Sequence, residues 1–168
     1  MMLEKSIEAN IIAAIADLNL DGLDIHGAWQ AANAGEVKDD EAPAAPATLY
    51  VRVGPRSFET FGIGVCSMDV VFSLVIRTDL NPTGTALETY VDPIADLLQS
   101  WNNTMNCNNH CGMAVEGEFE PGGLQMVGGS GPTFEREAAI WSVTFNFTLR
   151  GTVLEAESET ETETEEGT

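Results

Sequence analysis

Residues 141–150, WSVTFNFTLR, alternate without a fault. Trp141, Val143, Phe145, Phe147 and Leu149 fall on one side; Ser142, Thr144, Asn146, Thr148 and Arg150 fall on the other. Strand side chains point to opposite faces with period two, so this stretch reads as a half-buried strand with one apolar and one wet face. The chain must therefore build a sheet and cover one side of it. The C-terminal stretch ESETETETEEGT can bury nothing and reads as a solvated acidic end.

Working back from that strand, the rest of the chain supplies the cover. Leu3, Ile7, Ile11, Ile15 and Leu18 recur every three or four residues, with Ile12 widening the stripe, which predicts an amphipathic helix ending near Asn19–Gly22. A second stripe, Leu87, Tyr90, Val91, Ile94, Leu97, Leu98 and Trp101, predicts another helix. Pro93 lies inside it, so that helix either kinks or restarts with Asp92 as N-cap. Strands are expected near DIHGAWQAAN, at LYVRV (49–53), at MDVVFSLVIRTD (68–79), at MAVEGEFE and at GGLQMV, with the last running from about Phe134 to Val153. The 68–79 segment is apolar on both faces apart from Ser73, which makes it a central strand covered on both sides or by a neighbouring subunit. GPRSFETFGIG reads as a turn or hairpin, GGSGP as a flexible turn, and residues 33–48 as a long exposed acidic and proline-rich loop.

The order helix, strands, helix, strands has no repeating βα unit. An α+β fold is expected, with a mainly antiparallel sheet and about two helices packed on one face. At 168 residues with 43% hydrophobic content, the chain suits a single domain over 1–154, followed by a disordered Glu-Thr tail over 155–168.

Charge excludes some functions. The formal net charge is −20, from 27 acids and 7 bases. Residues 155–166 hold seven of the acids, and without them the chain still stands at −13. Such a surface repels nucleic-acid backbones and anionic membranes. The N-terminal stretch is interrupted by Glu4, Glu8 and Asp17, so it reads as neither a signal peptide nor a membrane span. Three cysteines fit a reducing cytoplasm better than a disulfide framework.

Few residues suggest chemistry. Cys107, His110 and Cys111 form a single zinc-like knuckle, whereas a structural site needs four ligands, and the other candidates, Cys66 and His26, are distant in sequence. The plainer reading is a polar loop. Glu116, Glu118 and Glu120 would share one strand face and could act as paired carboxylates, but a charged outer face that discourages aggregation explains them as well. No serine sits in a nucleophile elbow, and the glycine-rich stretches lack the phosphate-loop and dinucleotide patterns. Trp29, Trp101 and Trp141 could form an aromatic platform, although Trp101 and Trp141 lie on apolar faces that suit a core. No catalytic, cofactor-binding or metal-binding residue is assigned, and no cofactor is expected.

The layout resembles a known family. LEKSIEANIIAAIADL leads through an exposed acidic loop to ATLYVRVG; DVVFSLVIRTD is followed at once by TALETYVDPIADLLQSW; WSVTFNFTLRG closes the domain. Over residues 3–153 this is similar to the tail-terminator and tail-completion (neck) proteins of long-tailed bacteriophages. The resemblance rests on layout, and the acidic stretch at 36–41 and the Glu-Thr tail depart from it. It implies a non-enzymatic virion protein of the tail or neck, made in the host bacterial cytoplasm. It further implies a homo-oligomeric ring, commonly a hexamer, that caps the tail tube and contacts tube and head-tail connector proteins. DNA would pass through without sequence-specific binding. A neck adaptor or head-completion protein on the portal side, and a free-standing binding module, are the alternatives.

Overall fold

The computed structural model describes residues 2–29, 44–58, 63–81, 83–102 and 112–155. In chain order the elements are helix α1 (Leu3–Ala16), strands β1 (Leu23–Gly27), β2 (Ala47–Val53), β3 (Ser57–Phe58) and β4 (Val65–Arg77), helix α2 (Ala86–Trp101), and strands β5 (Phe119–Glu135) and β6 (Ile140–Val153). All six strands form one sheet in the order β1-β2-β4-β6-β5, with β3 paired to β4 beside it. The β1–β2 pair is parallel and every other pair is antiparallel. This is the expected α+β architecture.

Register sorts the side chains. Val51 lies opposite Phe72, which lies opposite Phe145; Leu49, Leu74 and Val143 form the next row. Directly opposed residues point to the same side of a sheet, so Ala47, Leu49, Val51 and Val53 join Met68, Val70, Phe72, Leu74 and Ile76 on one apolar face. Phe72 and Phe147 meet there edge to face, with ring centres 5.7 Å apart. Both helices cover that face. Ile7, Ile11 and Ile15 of α1 and Tyr90, Ile94 and Leu98 of α2 are buried in the same core. α1 stops where Asn19 and then Gly22 take positive φ, a conformation these two residue types tolerate best.

Of the two readings of the second stripe, the single helix holds: α2 carries Pro93 inside it and no second helix starts at Asp92. Other expectations change. The 119–135 region is one long strand, in which bulges at Pro121/Gly123, Met126/Gly128 and Ser130/Thr133 absorb the glycines and prolines that look like turns in the sequence. The last turn therefore lies at 136–139, and β6 begins at Ile140. Finally, β4 is central, and among the described residues the helices cover it on one side only, so of the two expected covers the one left for the second face is a neighbouring subunit. Val71, Ser73 and Val75 lie on the face away from the helices and remain partly exposed. The loop expected over 33–48 lies mostly outside the described residues, as does the Glu-Thr tail beyond Glu155.

Candidate functional site

The residues that looked chemical in the sequence do not converge. Glu116, Gly117 and Glu118 form a turn, closed by the Val115–Phe119 bridge with Gly117 at φ +74°. Glu116, Glu118 and Glu120 therefore do not line one strand face, and all three are exposed. Cys107, His110 and Cys111 lie outside the described residues. Cys66 is buried in β4, whereas His26 is exposed on β1 and stacks on Tyr50. No group of three or more His, Cys, Asp or Glu among the described residues could hold a metal ion.

The tryptophans also separate. Trp29 lines a cleft of about 370 Å³ with Arg52, Pro55 and Asp69. Trp101 is buried beside Gly112. Trp141 packs on Phe134 with ring centres 4.9 Å apart. They form no common platform.

Two residues that pass in the sequence for surface acids are structural. Glu8 is buried, and its Oε1 accepts the Trp29 N–H at 3.0 Å while Oε2 accepts the Val53 N–H at 3.3 Å. Burial pushes its carboxyl above the usual 4.5, and the two N–H donors pull partly against that. Gly27 lies directly over the carboxylate; a Cβ there would collide with Glu8 Oε1 and Ile12. Glu4 is buried too, and its Oε1 accepts Arg56 Nε–H at 2.8 Å and the Arg56 backbone N–H at 3.3 Å. Together they fasten the end of β2 and the segment after it to α1. A helical wheel places Glu4 and Glu8 one step from Leu3 and Ile7, and that adjacency was the only hint of burial in the sequence.

The Arg77-Thr78-Asp79 ending of β4 is structural as well. Arg77 Nε donates to Asp79 Oδ1 at 3.0 Å, and this bond holds the Asp79 carboxyl below the usual carboxylate range. Thr78 Oγ1 donates to the Ala139 carbonyl at 2.9 Å, and Asn81 Nδ2 donates to the carbonyls of Pro46 and Arg77 at 3.0 and 2.7 Å. The segment ties together the start of β2, the end of β4 and the turn before β6.

Surfaces remain as the candidate site. The first is the sheet face away from the helices. Across β2, β4 and β6 it presents mainly Ser, Thr, Asn, Tyr50, Ile140 and three valines, Val65, Val71 and Val75, with Arg52, Arg77 and Arg150 against one acid, Asp69. Three of the chain's seven bases are therefore gathered on one face of a molecule with 27 acids. The second is the exposed side of α2, where Glu88, Asp92 and Asp96 line up at four-residue spacing with no base in the helix. The third is β5, an end strand whose residues from Gln125 to Glu135 are all exposed, including Met126, Val127 and Phe134. Beside it, an apolar cleft of about 320 Å³ opens between α2 and the sheet, lined by Ala95, Leu98, Met126, Phe145 and Phe147.

No protein-family model matches the chain, and no curated protein matches it. Among solved structures, a chain from the "Virion of native gene transfer agent (GTA) particle" is similar in fold, with a TM-score of 0.50 and 14% identity, over 89% of this chain and 94% of that chain.

Proposed function

We propose that this chain is a structural protein of a phage-like virion and, more specifically, a tail terminator: a ring that caps the tail tube and joins it to the head or neck. The observation that carries this reading is the fold-level likeness to a virion chain, which spans nearly the whole of both chains. The layout of residues 3–153 supports it. So do the surfaces, which offer broad faces for protein contact and no assembled chemistry among the described residues. Its partners would be further copies of itself, the tail tube protein and a connector or neck protein. An acidic ring also suits a passage for DNA, because like charge keeps a duplex off the wall.

Native mass spectrometry and negative-stain microscopy on the purified protein test the ring, and a tube-polymerisation assay tests the cap. Closed rings that halt tube growth are the expected result. Rings that bind a portal-side connector and leave tube growth unaffected would favour a neck adaptor instead. A chain that stays monomeric and leaves tubes growing overturns the proposal.

A further inference from the structure

We infer that the ring closes by seating the acidic ridge of α2 from one copy on the bare, arginine-bearing sheet face of the next. This rests on the ring reading and adds the contact that would build it. Three observations converge on a second copy as the occupant.

The first is layering. Both helices lie on one side of the sheet, and on the other side of β2, β4 and β6 no described helix lies over the strands and Thr48 alone is buried. An antiparallel sheet commonly leaves one face to solvent and lines it with polar residues, whereas here β4 carries Val65, Val71 and Val75 on the open face. A helix about 10 Å wide spans two to three strands spaced about 4.8 Å apart, so one helix matches the three central strands.

The second is charge. The central strands carry Arg52, Arg77 and Arg150 against Asp69, whereas Asp24, Glu120 and Glu135 sit on the rim strands β1 and β5. Arg77 is engaged by Asp79, and Asp69 lies on the diagonal between Arg52 and Arg150. That centre is the least acidic face described in a chain of net charge −20, and the α2 ridge of Glu88, Asp92 and Asp96 is its complement. Glu88 and Asp96 are about 12 Å apart along the helix axis. Arg52 and Arg150, two strands and four rows apart, are separated by about 16 Å, a span that flexible side chains match.

The third is symmetry. The ridge and the bare face lie on opposite sides of the two layers. A contact between them is head-to-tail, the kind that closes into a ring when the rotation closes.

Charge exchange tests this on the full chain, with native mass spectrometry as the readout and circular dichroism confirming the fold. D92K/D96K alone and R52E/R150E alone should each weaken ring formation by roughly a hundredfold in concentration, because each brings like charges together. Mixing the two variants, or combining all four changes in one chain, should restore it. The milder D92N/D96N and R52Q/R150Q pairs, which keep shape, should weaken it in the same direction. Rings that persist in both reversed variants overturn this contact and leave the terminator reading standing, as does loss in both without recovery on mixing or combining. A wild-type chain that neither closes into rings nor caps tubes overturns both.

Discussion

Glu8 shows how one buried carboxylate can set a local fold. It accepts two backbone N–H groups from segments far apart in sequence, and Gly27 leaves the space it occupies. Removing the carboxylate strands both donors, so Glu8→Ala should cost roughly 2–4 kcal/mol of unfolding free energy in denaturant titrations. The pH dependence has a definite sign. Burial raises the folded-state value above 4.5, so the folded chain keeps a proton that the unfolded chain has released. That contribution is fully present below the unfolded value and is lost as pH rises through the folded one. Wild type should therefore lose stability relative to Glu8→Gln as pH rises from about 4.5, and paired melting curves across that range would show it. This role was illegible in the sequence, where an acid every fourth residue on an amphipathic helix reads as a solvated edge. The burial depends on Val53 and Trp29, whose approach is a tertiary event.

At the scale of elements, the strong periodicities were legible and the interrupted ones were not. The α1 stripe, the α2 stripe and the β6 alternation each state their own period over ten residues or more, and each element lies close to where that period puts it. β5 escaped because glycine and proline mark turns on average, whereas here bulges take them into a strand held along its length by β6. Glu116 and Glu118 were misplaced for the related reason that Gly117 takes a positive φ and turns the chain before Phe119. α2 depends on its buried row. Ile94, fully buried one residue after Pro93, anchors it to the core. Ile94→Ala should destabilise the protein by about 2–5 kcal/mol in a denaturant titration, through lost burial and the cavity left behind.

On the scale of the whole molecule, the balance is between net repulsion and local attraction. Copies of net charge −20 repel at long range, whereas the ridge and sheet-face charges would meet at contact distance. These respond to different salt ranges, because the screening length falls from about 30 Å at 0.01 M to about 10 Å at 0.1 M and about 3 Å at 1 M. Ring formation measured by light scattering should first rise with added salt, as the long-range term is screened, and then fall as the contact pairs weaken. A monotonic rise would mean that apolar burial alone holds the copies together. The total charge was plain in the sequence. Its segregation was not, because Arg52, Arg77 and Arg150 come from three strands and share a face only through the register of β2, β4 and β6.

The central place of β4 has a further consequence, in time. β4 is complete once Arg77 has been made, yet the strand that pairs with its whole length, β6, spans residues 140–153. Synthesis runs from the N-terminus, so every nascent chain passes through a stage in which the residues of β1, β2, β4 and α2 have been made and the strand that pairs along the whole of β4 has not. An apolar open edge is a template for any other strand, including that of a second unfinished chain on the same message. The order of the sheet thus places the time of greatest vulnerability on the ribosome, and it ends only when the final, cleanly alternating strand arrives to close that edge.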